Sequence, residues 1–210
     1  MASEFDQRMM ARALQLAERG LYTTDPNPRV GCVITAGGRI VGEGWTDPVG
    51  GPHAEINALR VAGDLSRGAT VYVSLEPCSH HGRTPPCSDA LVAAGVRRVV
   101  CAVGDPNPLV DGGGINQLRA AGIEVESGLL AQQAERLNIG FFKRMVSGLP
   151  HVTVKIAASL DGKVALGNGA SKWITGEPAR RDVQRLRARS SAVLTGIGTV
   201  LADDPHLNVR

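Results

Sequence analysis

Residues 76–87 have the sequence Glu-Pro-Cys-Ser-His-His-Gly-Arg-Thr-Pro-Pro-Cys and directly follow an apolar run, Ala69 to Leu75. That run is rich in β-branched residues and favours a buried strand. Its end is followed by two cysteines, Cys78 and Cys87, with eight residues between them. We therefore expect both thiols beyond the carboxyl end of a strand, with Cys87 at the start of the next helix.

A second short motif, His53-Ala54-Glu55, lies upstream at the start of a predicted helix. Together the two motifs supply one imidazole, two thiols and a carboxylate. Catalytic zinc has three protein ligands and an open fourth position, whereas structural zinc has four protein ligands. The sequence therefore predicts a catalytic zinc held by His53, Cys78 and Cys87, with Glu55 moving the protons of an acidified water.

Each of these residues also has an ordinary interpretation when it is taken singly. His53 could cap a helix, Glu55 could be a surface carboxylate, and each cysteine could be a small buried hydrophobe. A thiolate at a helix N-terminus is stabilised by unpaired backbone amides, which suits Cys87. The combination of His-x-Glu with Pro-Cys is typical of zinc-dependent deaminases and favours the metal site.

The other cysteines and histidines near these motifs receive different predictions. Cys32 and Cys101 lie inside predicted strands, so we assign both to the core. His80 and His81 lie between the two ligand cysteines. We assign them to substrate contact or loop structure rather than to metal binding.

The composition is that of a globular protein with a sizeable core, with 43% hydrophobic residues, 20% charged residues and a net charge of +3. Basic residues are dispersed except in residues 180–189, which favour the solvated face of a helix over a nucleic-acid surface. The sequence contains neither a membrane-span pattern nor a signal-peptide pattern. We expect a cytoplasmic protein with reduced cysteines and no nucleic-acid or membrane partner, and a homo-oligomer is left open.

The periodicity of the remaining sequence predicts an α/β protein. A hairpin around Gly37-Gly38 precedes alternating helices and strands, which is typical of parallel strands joined by crossover helices. The predicted elements are helix 3–20, strands 30–36 and 39–45, helix 53–62, strand 69–75, helix 87–94, strand 97–103, helix 113–121, strand 123–126 and helix 130–145.

The segment Ser147-Gly-Leu-Pro150 marks a predicted domain boundary. Beyond it the sequence predicts strand 152–158, a glycine-rich loop, helix 178–188 and strand 192–196. We therefore expect one domain over residues 1–147 and the opening of a second α/β domain over residues 151–210.

The sequence resembles the bifunctional riboflavin-biosynthesis deaminase-reductases, in which a zinc deaminase precedes a dihydrofolate-reductase-like domain. The resemblance implies a three-layer α/β/α cytidine-deaminase-like domain with a mixed sheet, followed by the N-terminal part of a dihydrofolate-reductase-like α/β domain. The motifs that carry it are Pro26-Asn-Pro28 before Val30-Gly31, His53-Ala-Glu55, residues 76–87, Asp105-Pro-Asn-Pro108, Ser159-Leu-Asp-Gly162 and Lys172-Trp-Ile-Thr-Gly176.

The resemblance also implies a substrate and its contacts in the first domain. The expected reaction is hydrolytic deamination of 2,5-diamino-6-hydroxy-4-(5-phosphoribosylamino)pyrimidine to 5-amino-6-(5-phosphoribosylamino)uracil, with release of ammonia. Asn27 would bind the pyrimidine or ribose, and Arg83 would bind the phosphate. Asp105 and Asn107 would make polar substrate contacts, although turn formation explains them equally well.

In the second domain the resemblance implies NADPH-dependent reduction of the ribose to ribitol. About 60 residues are too few to close a sheet and bind a dinucleotide as this family does, so we expect a truncated chain that deaminates but reduces poorly or not at all. The implied cofactor contacts are Ala157, Trp173, Thr199 and Asp203, and the implied substrate contacts are Ser171, Arg187, Leu207 and Arg210.

Two positions depart from the family pattern. Thr46 stands where many relatives have a histidine, seven residues before His53. The loop Asp111-Gly-Gly-Gly114 lacks a basic residue that relatives often have there. Contacts to substrate at these two positions are therefore not carried over.

Two alternative functions remain at this point. A nucleic-acid deaminase acting on a flipped base would need a basic, aromatic surface, and its two cysteines are usually separated by two residues. A non-catalytic zinc-stabilised module would need a fourth protein ligand. Low aromatic content and the count of three ligands disfavour both alternatives.

Overall fold

The structure is a computed structural model that describes residues 2–80 and 85–210. Within these ranges the chain has eight α-helices and five β-strands. In chain order they are α1 Glu4–Ala17, β1 Gly31–Ala36, β2 Arg39–Trp45, α2 Ala54–Ala62, β3 Thr70–Val73, α3 Cys87–Ala93, β4 Arg98–Cys101, α4 Gly113–Ala120, β5 Glu124–Ser127, α5 Ala131–Leu137, α6 Ile139–Ser147, α7 Glu177–Ala188 and α8 Ile197–Asp203.

The chain divides into two compact units, Met1–His151 and Val152–Arg210. The first unit contains a five-stranded sheet of order β2-β1-β3-β4-β5. β1 pairs antiparallel with β2 and with β3, whereas β3, β4 and β5 run parallel. The predicted mixed sheet is confirmed, and the hairpin turn between β1 and β2 has positive φ at Gly37 and Gly38, as expected.

The sheet is covered on both faces because its strands alternate between two hydrophobic clusters. Val71 and Val73 of β3 face the cluster that contains α2, α3 and α4, whereas Tyr72 faces the cluster that contains α1 and α5. The expected three-layer α/β/α arrangement is therefore present. Cys32 and Cys101 are fully buried in the first of these clusters, which confirms their assignment to the core.

α2 lies directly against β2, and two glycines make this contact possible. A Cβ atom at Gly42 would lie 2.3 Å from the Ala58 carbonyl oxygen, and one at Gly44 would lie 2.3 Å from the Ala54 carbonyl oxygen. Both separations are far shorter than van der Waals contact. Glycine at these positions therefore fixes the start of α2 close to the sheet.

The expected single helix over residues 130–145 is wrong. The chain forms α5 and α6 instead, separated at Asn138, whose φ of −111° and ψ of 23° depart from helical geometry. The Asn138 side chain is fully buried and bonds the backbone of a distant segment, which accounts for the interruption.

The two strands expected in the second unit are also wrong. Residues 152–158 and 192–196 have no strand structure, and Val152, Val154 and Ile156 are each more than 70% exposed. A strand needs a neighbouring strand for its N–H and C=O groups, and residues 152–210, all of which the structure describes, contain none. Across the described ranges, the structure has no helix that is long and apolar enough to span a membrane.

Candidate metal centre

The predicted metal ligands come from the starts of two helices and from the loop beyond β3. His53 is the N-cap residue of α2, and Cys87 is the first residue of α3. Cys78 lies five residues beyond the end of β3. The crossover connections of the α/β fold thus bring three segments to one edge of the sheet.

The three side chains converge as zinc ligands do. Nδ1 of His53 lies 3.6 Å from Sγ of Cys78 and 3.3 Å from Sγ of Cys87, and all three ligand atoms lie within 4.8 Å of one another. A tetrahedral zinc with usual Zn–N and Zn–S bond lengths would place nitrogen and sulfur about 3.6 Å apart. The donor set and its spacing therefore fit zinc.

The surroundings of the two thiols favour a thiolate at Cys78. The pKa of Cys78 is lowered to about 4, chiefly by a hydrogen bond from the Cys87 thiol and further by His53. The backbone N–H of Cys87 also donates to Sγ of Cys78 at 3.3 Å. The pKa of Cys87 is raised by its neighbour Cys78 and by burial. A bound cation would favour the thiolate form of both cysteines.

Glu55 is the second residue of α2 and is only 3% exposed. Burial raises the pKa of Glu55 to about 7, and the charge on Cys78 adds to the effect, whereas His53 opposes it. A buried carboxyl with a pKa near neutrality can both accept and donate a proton. Glu55 lies two residues from the predicted ligand His53, and its acid-base role stays a prediction.

Ser88 and Gln117 support the ligand segment and were not singled out from the sequence. Ser88 is fully buried, its N–H donates to the Cys78 carbonyl at 3.2 Å, and its hydroxyl lies 3.0 Å from the same oxygen. The hydroxyl also lies 2.7 Å from Oε1 of Gln117, whose amide nitrogen donates to Asp89. The only sequence signal is a small polar residue next to a predicted ligand.

Glu76 is a third residue that sequence reasoning passed over. It is 3% exposed, and its carboxylate accepts N–H groups from Asp105, Gly112, Gly114 and Ile115. Its position between an apolar strand and a ligand motif could have indicated a buried carboxylate. Such a carboxylate needs several hydrogen bonds, so a structural role could have been expected.

Asp105 and Asn107 lie in the loop after β4, at the same edge of the sheet as the ligands. Asp105 accepts the N–H of Asn107 at 2.9 Å, and Asn107 accepts the N–H of Leu109 at 3.1 Å. Burial raises the pKa of Asp105 to about 6. Both side chains therefore make the turn contacts that were the alternative, and their substrate contacts stay predictions.

Asn27 is exposed in the loop before β1. Asn138 bonds the backbone of Arg29 in the same loop: its Oδ1 accepts the Arg29 N–H at 2.7 Å, and its Nδ2 donates to the Arg29 carbonyl at 2.9 Å. Thr46 is buried, and its hydroxyl accepts the Val30 N–H at 3.2 Å. Thr46 therefore holds the backbone at the position where the family resemblance led us to expect a histidine.

Arg83 and His81 lie outside the described residues. His80 is half-buried, and its Nδ1 is buried without a hydrogen-bond partner among the residues that the structure describes. The group of potential ligands found in those residues contains His53, Cys78 and Cys87 and does not include His80.

The residues predicted for the reductase half lie in the second unit. Arg187 donates to the carbonyls of His206 at 3.0 Å and Asn208 at 3.1 Å, and Arg210 donates to the same His206 carbonyl at 2.7 Å. Arg187 and Arg210 thus share the carbonyl of His206, the residue before Leu207. The others are distributed between α8, which carries Thr199 and Asp203, and irregular segments, which carry Ala157, Ser171 and Trp173.

Comparison with known proteins assigns both parts of the chain. The cytidine and deoxycytidylate deaminase zinc-binding region matches residues 3–103, and the RibD C-terminal domain matches residues 150–210. The riboflavin biosynthesis protein RibD of Escherichia coli is 60% identical over 98% of this chain and 56% of its own length. Over nearly its whole length the chain is therefore similar to RibD proteins. It spans a little over half the length of this relative.

Other RibD proteins agree with this assignment. RibD of Aquifex aeolicus is 49% identical over the whole chain and 59% of its own length. The solved structure of Acinetobacter baumannii RibD superimposes with a TM-score of 0.94 at 57% identity, over 99% of this chain and 58% of that one. A deaminase/reductase structure from Thermotoga maritima gives 0.91 at 45% identity, over 96% and 58%. The resemblance seen in the motifs is confirmed, as is the zinc-binding deaminase fold.

Proposed function

We propose that this chain is a zinc-dependent deaminase of riboflavin biosynthesis. Its reaction is the hydrolysis of 2,5-diamino-6-hydroxy-4-(5-phosphoribosylamino)pyrimidine to 5-amino-6-(5-phosphoribosylamino)uracil and ammonia. The observation that carries the proposal is the convergence of His53, Cys78 and Cys87 within 4.8 Å beside the buried Glu55, in a chain that is 60% identical to a RibD protein over 98% of its length. The Thermotoga relative is described by the same deaminase activity.

In this proposal His53, Cys78 and Cys87 hold the zinc, and Glu55 moves the protons. Bound zinc supplies Lewis acidity, which lowers the pKa of a water molecule to about 7. Glu55 accepts a proton from the attacking water, passes it to a ring nitrogen, and returns a proton to the departing amine. Each turnover thus consumes one water, replaces the amino group with a carbonyl, and releases one ammonia.

We further propose that residues 1–147 are the deaminase domain and that residues 151–210 are part of a reductase domain. The compact units divide at residue 151, and the RibD C-terminal domain matches from residue 150. NADPH-dependent reduction and its contacts stay predictions for this chain. RibD matches over 98% of the chain favour a free nucleotide substrate over a nucleic acid.

A direct test measures zinc content and ammonia release in one preparation of the full chain. The diaminopyrimidine nucleotide and transfer RNA are supplied separately. We expect about one zinc per chain and ammonia from the free nucleotide alone. Ammonia from the RNA would favour the nucleic-acid deaminase, and zinc without turnover of either substrate would favour a zinc-stabilised module. The His53→Ala variant, which lacks one ligand, is the control for zinc loading.

A further inference from the structure

Glu76 is a buried carboxylate saturated by backbone donors. Oε1 accepts the N–H groups of Gly114 at 3.0 Å and Ile115 at 3.2 Å. Oε2 accepts those of Asp105 and Gly112, both at 3.2 Å. A carboxylate has about four acceptor positions, so these four donors use its full capacity.

Two of the donors, Gly114 and Ile115, lie in the first turn of α4. The N-cap residue of this helix is Gly112, which has no side chain to accept a hydrogen bond from that turn. The first N–H groups of a helix lack partners within it, and negative charge is favourable there. Glu76 therefore supplies from a distant part of the sequence the acceptor that α4 lacks.

The glycines at the start of α4 allow this contact. A Cβ atom at Gly114 would lie 1.9 Å from the Pro77 carbonyl oxygen, and one at Gly113 would lie 2.6 Å from Oγ of Ser79. A side chain at Gly114 would require the backbone to move. The glycine run noted in the sequence thus lets the segment that carries Cys78 lie against α4.

We propose that Glu76 is a positioning residue that holds the loop over residues 105–111 in place beside Cys78. This inference rests on the proposed function. Glu76 is two residues from a predicted ligand, and its own N–H donates to the Val103 carbonyl at 2.9 Å. Its carboxylate holds Asp105, which in turn holds Asn107 through the 2.9 Å hydrogen bond. One side chain therefore connects the metal side of the site to the predicted substrate side.

Replacing Glu76 with Gln separates this role from general structural support. Gln has the same shape and keeps one acceptor oxygen, but its NH2 group faces two N–H donors where an oxygen was. At least two of the four backbone amides therefore lose their acceptor. The loop over residues 105–111 and the start of α4 should loosen, whereas His53 and Cys87, which other elements hold, should remain in place.

The experiment uses the zinc-loaded full chain and compares Glu76→Gln with Asp6→Asn, a matched change of a buried carboxylate to an amide that lies outside the site. We expect the KM for the diaminopyrimidine nucleotide to rise about tenfold in Glu76→Gln, with a much smaller change in kcat and in zinc affinity measured by chelator competition. Hydrogen exchange of the amides in residues 105–115, relative to the other amides of the first unit, should accelerate in Glu76→Gln and not in Asp6→Asn. Asp6→Asn should leave the KM unchanged.

Each of the following outcomes would overturn the proposal. An unchanged KM in folded Glu76→Gln would show that the loop does not depend on Glu76. A loss of zinc affinity as large as the rise in KM would make Glu76 a support of the metal instead. If Glu76→Gln does not fold, Glu76→Asp, which keeps the charge on a shorter side chain, must raise the KM. If the parent chain does not turn over the nucleotide, the proposed function fails. The positioning role of Glu76 is then tested by hydrogen exchange alone, and unchanged exchange at residues 105–115 in Glu76→Gln would reject it.

Discussion

Glu55 is the residue on which the proposed chemistry depends most directly. Changing Glu55 to Gln should lower kcat by about 10²- to 10⁴-fold, because an amide cannot accept a proton from water and return it to the leaving amine. Zinc content should be unchanged, since Glu55 is not one of the three converging ligands. The measurement is ammonia release at saturating substrate together with metal analysis of the same sample.

The matched control for this prediction is Glu135→Gln, which removes an exposed carboxylate from α5. Its kcat should equal that of the parent chain. Zinc-loaded Glu55→Gln with parental kcat would reject the acid-base role. Loss of zinc from that variant would instead assign Glu55 to metal binding.

Ser88 gives a second prediction at the residue scale. Its N–H and hydroxyl hold the carbonyl of Cys78. Ser88→Ala should therefore weaken zinc binding by about tenfold, because the ligand segment loses a buried hydrogen bond that orients it. Chelator competition measures this change, and Ser147→Ala, which removes an exposed hydroxyl, is the control. Equal zinc affinity in the two variants would contradict the prediction.

The residues of the site were predictable to different degrees. His53, Cys78 and Cys87 could be identified because imidazole and thiolate have few uses in common other than a metal, and the structure brings them together. The contacts of Glu76 and Ser88 could not be predicted, because Glu76 accepts backbone amides of distant segments and Ser88 contacts the Cys78 carbonyl and the Gln117 side chain. A single sequence shows which side chain is present but not which amide it will meet.

At the scale of elements, Asn138 shows where local periodicity fails. The sequence from 130 to 145 has a helical pattern, so one helix was expected, whereas the chain forms α5 and α6. At the interruption the Asn138 side chain bonds the backbone of Arg29, which is 109 residues away in the sequence. A break of this kind is set by tertiary hydrogen bonds and leaves no local pattern.

Changing Asn138 to Ala should lower the free energy of unfolding by about 1–3 kcal/mol, because the part-buried hydrogen bonds of the fully buried Asn138 side chain to the N–H and C=O of Arg29 would be lost. Urea denaturation measures this effect. Asn116→Ala, on the exposed face of α4, should change stability by less than about 0.5 kcal/mol. A loss in Asn138→Ala no larger than in this control would show that α5 and α6 do not depend on the contact.

For the whole molecule, the two units differ in how much the sequence could predict. In the first unit each predicted strand pairs with at least one other strand of the five-stranded sheet, so the strands expected from local sequence patterns form. In the second unit the apolar patterns at 152–158 and 192–196 indicated strands, but no described residue of that unit pairs with them. An apolar pattern indicates which side chains a strand would bury, but the strand forms only where a neighbouring strand can pair with its backbone.

A charged cluster connects α1 to three strands of the first unit. Asp6 of α1 accepts from Tyr72 of β3 at 2.6 Å and from Arg98 of β4 at 2.8 Å. Arg98 also donates to Glu126 of β5 at 3.0 Å. The Arg98 guanidinium holds the pKa of Asp6 well below its usual range, with hydrogen bonds from Tyr72 and Ser3 adding to the effect.

The lowered pKa of Asp6 gives the stability of this unit a defined pH dependence. A carboxyl with a lower pKa in the folded than in the unfolded chain stabilises the fold above its unfolded pKa of about 4. That contribution is lost as the pH falls below about 4 towards the folded pKa. Asp6→Asn should therefore cost about 1.5–3 kcal/mol at neutral pH and should flatten the decline in unfolding free energy on the acid side.

Urea denaturation at several pH values tests this prediction, with Glu4→Gln as the control because its carboxylate is 85% exposed and pairs with Arg8 on the surface of α1. The parent chain and Glu4→Gln should lose stability together as the pH falls below about 4, whereas Asp6→Asn should start lower and change less. Parallel curves for the parent chain and Asp6→Asn would mean that the Asp6–Arg98 pair does not titrate with unfolding. A constant difference in unfolding free energy between the two would reflect only the lost hydrogen bonds of Asp6. The acid sensitivity of the parent chain would then have to come from other carboxylates.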